Sequence, residues 1–204
     1  KTIVDMAYFD QSKGGAHSLN VTLLGEDGKK LKQTIWFTNR KEEVHFVNQK
    51  GEKDYLPGYT LVNNLALIIT GEDINEAFDK SEKKMVNVYD FNEKKEKPTE
   101  KSVATSLLGK QIKAAVLKQT VNKRVNDGSG TYVDSAETRD ENQLKEFYFP
   151  DSDLTVVEKA KDATEALMMP KWAERNTGKT LNRVKEVTGS TSAAAKPAGK
   201  KLFN

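Results

Sequence analysis

Between His17 and Arg40 the chain alternates regularly enough to say which side of it is core. Leu19, Val21 and Leu23 alternate with Asn20 and Thr22, the two-residue period of a half-buried strand. Glu26-Asp27-Gly28 supplies the turn, because glycine accepts the positive φ that a tight hairpin requires. On the return strand Leu31, Gln33, Ile35 and Phe37 share one side. Lys32, Thr34, Trp36 and Thr38 share the other, with Arg40 following. A slip of one residue would exchange the two faces, so this pattern demands a sheet with one buried and one open side. It also sets a tryptophan among cations and hydroxyls. The ordinary reading of such a residue is a solvated face or the lid of a small second cluster; the functional one is a flat ring on which a base stacks.

The flanking sequence adds strands and few helices. An opening run, Thr2 to Phe9, and a third extended run, Glu43 to Val47, bracket the hairpin. Pro57-Gly58 interrupts the strand pattern, and Leu61, Val62, Leu65, Leu67, Ile68 and Ile69 then fit helical spacing from a Thr60 cap to a stop at Gly71. A short helix capped by Asp73 is expected next, then a strand from Lys83 to Phe91. Asn92 to Lys101 has no apolar residue and reads as a solvated loop. A long strand, Lys110 to Val125, leads to the turn Asn126–Gly130, a short extended piece at Tyr132-Val133, a loop from Ser135 to Glu141 and a last strand, Leu144 to Phe149. Thr155 and Glu158 match a capping box, and Pro170 suits the first turn of a final helix. Six or seven strands around one inserted helix suit a mainly β, five-stranded barrel of the oligonucleotide/oligosaccharide-binding (OB) type, with a small β-sandwich fitting the pattern almost as well. The expected division is a folded domain over 1–177 and a disordered basic tail over 178–204.

Composition narrows the chemistry. The absence of cysteine removes disulfides and thiolate zinc sites and suits a reducing cytoplasm. With only His17 and His45, a histidine metal site is not expected. The carboxylates at Glu137, Asp140, Glu141, Asp151 and Asp153 fall in expected loops and caps, where they serve solvation and helix starts. Gly178-Lys179-Thr180 lacks the upstream glycine of a phosphate loop, since Ala173 stands there. No catalytic cluster, cofactor or membrane span is therefore expected. The net charge of +3 is divided: residues 175–204 hold seven Lys/Arg and one acid, leaving 26 basic and 29 acidic residues in 1–174. A nucleic-acid partner would need a cationic groove on a mildly acidic body. The chain opens inside an apparent strand, so residues preceding Lys1 are expected.

What remains is a set of aromatics and cations on the polar sides of strands. Tyr8, Lys13, Lys32, Thr34, Trp36, Thr38, Arg40, Lys113, Lys118, Lys123, Arg124, Tyr132 and Tyr148 are the candidate nucleic-acid-binding residues. Rings stack on bases without regard to sequence while Lys and Arg follow phosphates, and an OB barrel gathers such groups on one face.

Several phrases carry a family likeness: SLNVTLLGEDGKK over 18–30, PGYTLVNNLALIITG over 57–71, LLGKQIKAAVLKQ over 107–119, TRDENQLKEFYFPDSDLTVVE over 138–158 and PKWAERNTGKTLNR over 170–183. In these the chain resembles bacteriophage-encoded single-stranded DNA-binding proteins, OB-fold replication proteins, over most of residues 1–183. The resemblance implies sequence-tolerant binding and protection of single-stranded DNA during phage replication, recombination or repair, in the cytoplasm of the infected bacterial host. It implies no catalysis and no cofactor, with homo-oligomers on DNA and replication proteins met through the C-terminal tail. Many of these relatives end in an acidic tail; here the chain ends Lys200-Lys201-Leu202-Phe203-Asn204, which puts that tail's partner-recruiting role in doubt. The alternative is a non-catalytic protein-interaction or virion structural module with a basic tail.

Overall fold

The computed structural model describes residues 1–90, 93–129 and 131–187. In chain order the elements are β1 (Thr2–Gln11), β2 (His17–Gly25), β3 (Lys30–Trp36), β4 (His45–Val47), β5 (Lys53–Tyr55), α1 (Pro57–Thr70), α2 (Ile74–Asp79), β6 (Glu82–Asp90), β7 (Lys95–Val103), β8 (Gln111–Asn126), β9 (Tyr132–Tyr148), α3 (Val156–Ala160), α4 (Met168–Asn176) and β10 (Thr180–Asn182). The fold is mainly β, with a large antiparallel sheet and few helices. The chain divides into two compact units, one from residues 1–117 with 142–178, the other from 118–141 with the residues after 178.

The first unit is organised by β1, β2 and β3, paired in that order. Leu19, Val21 and Leu23 on β2 and Ile35 on β3 turn inward, as their alternation requires, and meet Val4, Ala7 and Phe9 of β1. The spacing from Val4 to Ala7 breaks the alternation because a β-bulge at Asp5 shifts the register between Val4 and Met6. An extra residue there lets both halves of β1 keep apolar side chains inward. Helix α1 covers this inner face with Val62, Leu65 and Ala66, each fully buried, and Phe147 of β9 fills the space beside them. The helix starts at Pro57, where a missing N–H has no cost, and stops at Gly71, whose φ of 77° lets its N–H reach the Leu67 carbonyl at 3.0 Å. It therefore starts one turn before the expected Thr60 cap. Gly58 is where helix and sheet touch backbone to backbone: a Cβ there would lie 1.9 Å from the Trp36 carbonyl oxygen.

β1 also pairs with β7 through Tyr8 and Phe9, and with the start of β8 through Thr2 and Ile3. Among the described residues no backbone ladder joins β3 to β9, so the sheet is not closed into a barrel. A side chain stands where that ladder would run: the Leu144 N–H donates to Gln33 Oε1 at 2.8 Å. The run read as a solvated loop is largely strand β7, paired with β6 from Val103↔Glu82 to Lys95↔Asp90. It escapes periodicity because the residues on its half-buried side, Lys97, Thr99 and Lys101, are polar, and backbone hydrogen bonds hold it.

In the second unit β8 and β9 continue as a long hairpin, so the expected loop from Ser135 to Glu141 is strand. Thr180–Asn182, expected in a disordered tail, adds as a parallel strand to Lys118–Thr120 of β8. Asn122 extends that docking: its Oδ1 accepts from Lys185 N at 2.7 Å and its Nδ2 donates to Lys185 O at 3.1 Å. The rest of the expected tail, 188–204, lies outside the described residues.

Two outcomes test this architecture. Gly58→Ala forces backbone atoms apart and should cost about 2–3 kcal/mol or more in denaturant unfolding, against about 1–2 kcal/mol for Gly28→Ala, where a Cβ meets open space and only the φ of 75° is strained. Glu158 completes the capping box with Thr155 and also accepts from the Leu167 and Met168 N–H groups at 2.8 and 2.9 Å. Burial pushes its carboxyl up, but those donors outweigh burial and hold it at about 2, against the ordinary 4.5. Its contribution is thus present above pH 4.5 and lost as pH falls through about 2. Glu158→Gln should cost about 1 kcal/mol at neutral pH, the usual weight of a cap. The gap to the native chain should close between pH 4.5 and 2.

Candidate nucleic-acid interface

The outer face of the three-stranded sheet is the wall of a cleft of about 760 Å³, and strand β6 forms the opposing wall. The register of β1, β2 and β3 writes the wall as rows of facing side chains: Met6–Thr22–Lys32, Tyr8–Asn20–Thr34 and Asp10–Ser18–Trp36. Met85, Val86, Asn87, Val88 and Tyr89 of β6 line the other side. Trp36 is 49% exposed, Tyr89 47% and Met85 65%, so three of the lining residues are large side chains that meet solvent. Thr34 Oγ1 donates to Asn20 Oδ1 at 2.5 Å, which fixes the middle row. Burial, then the Asp10 charge, pushes the Tyr8 phenol up and keeps it neutral.

The cations of this cleft are not loose. Lys30 reaches Asp5 at 2.8 Å and Lys32 reaches Glu96 at 3.5 Å, while Lys101 holds Asp10 at 2.7 Å. The lining holds Lys30 and Lys32 against Asp5, Asp10 and Glu96, and Lys101 outside it evens the charge. Two cations outside any salt bridge sit at the Trp36 end, in the loops joining or following the strands, where Glu42 also accepts from Gln11 and lies against His17. Arg40 lies against Gly14, its Cδ 3.4 Å from where a glycine Cβ would stand, and Lys13 is the neighbouring exposed residue. Neither forms a salt bridge among the described residues.

Of the residues singled out from sequence, the structure brings Tyr8, Lys32, Thr34 and Trp36 together as cleft lining and sets Lys13 and Arg40 at its end. Thr38 is elsewhere: it is buried, and its Oγ1 accepts from the His17 N–H at 2.7 Å. Lys113 is engaged with Asp153, tying β8 to the segment before α3. Lys118, Lys123, Arg124 and Tyr132 belong to the second unit, where Lys118 pairs with Asp140 and Lys123 with Glu137, each at 2.9 Å. Arg124 donates to the Tyr132 carbonyl there, and the Tyr132 ring is exposed. Tyr148, expected on a polar strand side, is 4% exposed and a core residue. Sequence reasoning missed Ser18, Asn20, Met85, Asn87 and Tyr89. The repeat of Met85, Asn87 and Tyr89 along an exposed strand was the available signal, but nothing in it announced which wall it would face.

Comparison with known proteins finds no matching family model, no curated relative and no solved structure. Among the described residues no group of three or more His, Asp or Glu is placed to hold a metal ion, and no helix is long and apolar enough to cross a membrane. The assignment of this cleft rests on its own geometry.

The Tyr148 placement has a titration consequence. Burial, then the charges of Glu146 and Glu158, pushes its phenol up to about 12. A folded value above the ordinary 10 stabilises the fold below pH 10 and stops doing so as pH rises through about 12. The native chain should lose stability relative to Tyr148→Phe across that window, measured by urea unfolding at successive pH values.

Proposed function

We propose that this chain is a non-catalytic, sequence-tolerant single-stranded DNA-binding protein of OB type, akin to the phage-encoded replication proteins it resembles in sequence. The order β3-β2-β1-β8-β9 supports the OB reading, since it is the strand order of that five-stranded Greek key without its final closure. The observation that carries the function is the cleft itself, lined by exposed Trp36, Tyr89 and Met85 and half-buried Tyr8 among hydroxyl and amide groups. Rings on an open strand face bind bases of any identity, and side-chain amides satisfy base edges without selecting one. Lys13 and Arg40 are placed to hold phosphates at one end. Lys30 and Lys32 follow once a phosphate replaces Asp5 and Glu96 as their partner. On this reading the protein protects single strands during replication, recombination or repair in the infected host. Lys196, Lys200 and Lys201 of the tail add general electrostatic attraction for DNA.

One observation favours a second reading: the pairing of Lys30 and Lys32 with carboxylates makes the cleft as suited to an extended peptide as to a polyanion. A protein-interaction module would use the same walls.

Trp36 fluorescence separates the two. Oligo(dT) should quench it at low salt, with log affinity falling against log salt with a slope of about −3 for four phosphate contacts. Trp36→Ala, followed by anisotropy of a labelled oligonucleotide, should weaken binding by about tenfold, within the range of one lost stacking contact. Removal of residues 188–204 should leave most of the affinity. Absence of quenching at low salt, or loss of binding with the tail alone, supports the module instead.

A further inference from the structure

Ser18 is 1% exposed, lines the cleft, and its Oγ has no hydrogen-bond partner within the chain. That is an unusual state for a hydroxyl on the polar face of a strand. A buried polar group without a partner costs folding free energy, and such groups concentrate where a ligand completes them. Its position is well defined. Ser18 faces Asp10 on one side and Trp36 on the other. The Phe37 N–H donates to the His17 carbonyl at 3.0 Å, which makes Ser18–Trp36 a pair of the non-hydrogen-bonded kind, where facing side chains approach most closely. The Trp36 ring is half exposed and has no aromatic partner among the described residues. A ligand reaches the buried hydroxyl only if a neighbouring side chain gives way, and the half-exposed Trp36, paired directly across from it, is the one the proposal requires to change rotamer.

We infer that Ser18 and Trp36 form one nucleobase subsite at the end of the cleft, in which the ring stacks on a base and the Ser18 hydroxyl hydrogen-bonds that base's edge. This rests on the cleft being the single-strand site proposed above and adds which residue touches a base rather than a phosphate. A hydroxyl both donates and accepts, so the subsite takes any base while rejecting its absence. Asp10, the third member of the row, is held by Lys101 at 2.7 Å; that pairing offsets the repulsion a bare carboxylate would exert on the neighbouring phosphate.

The test uses the full chain and its Ser18→Ala variant with two labelled probes of equal length, oligo(dT) and the corresponding abasic oligonucleotide, at several salt concentrations. Removing a hydroxyl that has no partner should leave the melting temperature equal or higher, so folding does not confound the result. Ser18→Ala should bind oligo(dT) about three- to tenfold more weakly, the range of one hydrogen bond. Its affinity for the abasic probe and its salt slope should match the native chain. Equal affinity of both proteins for oligo(dT) would overturn the subsite and leave the wider proposal standing. An equal loss on both probes would also overturn it, by showing a role in cleft shape. Failure of the native chain to bind oligo(dT) at all would overturn both.

Discussion

Everything in the first unit depends on the register of three strands. β2 can put Leu19, Val21 and Leu23 against α1 only by putting Ser18, Asn20 and Thr22 on the opposite side. β3 follows with Ile35 inward and Trp36 outward, and β1 needs the bulge at Asp5 to satisfy both faces along its length. Core and cleft are therefore the same decision made twice. Any slip that exposed Trp36 less would drive Lys32 or Thr34 into the apolar side, and burial of those groups without partners is far more costly than a tryptophan in water.

The second wall has a different origin. β6 and β7 contribute little to the core; they hang from β1 through two residue pairs and are held mainly by their own ladder. Such a hairpin can carry Met85 and Tyr89 into solvent because the stability of the fold does not depend on where they point. Its charge is balanced, and Glu96 reaches across to Lys32. An exposed ion pair of this kind is weak, on the order of 0–1 kcal/mol, so exchange of the carboxylate for a phosphate has a small barrier in free energy. On the proposed function, this is how a chain whose first 174 residues are net acidic would receive a polyanion.

The sequence was most legible where burial enforces a period. The β2–β3 hairpin, the outward Trp36, the apolar face of α1, the Asp73 cap and the Thr155–Glu158 capping box could all be read from residue spacing. It was least legible where backbone pairing alone decides. Lys95–Val103 has polar side chains on both faces, Ser135–Glu141 is an exposed arm of a long hairpin, and Thr180–Asn182 is held by backbone pairing to Lys118–Thr120, far away in sequence. Site residues divide the same way. Tyr8, Lys32, Thr34 and Trp36 converge because they share one strand face, whereas Thr38 and Tyr148 looked equally polar in context but are turned inward by the end of β3 and by the core around β9. The opposing wall could not be foreseen, since strand periodicity says which residues share a face and not which face they meet.

On the proposed function, a single strand lies between the outer face of β1–β3 and strand β6. Photo-cross-linking with an oligonucleotide carrying 5-bromodeoxyuridine, followed by peptide mass spectrometry, tests it most directly. Adducts are expected on Trp36, Tyr8, Tyr89 or Met85, competed away by unlabelled oligo(dT). Adducts confined to residues 188–204, or to Lys123, Arg124 and Tyr132 of the second unit, would contradict it.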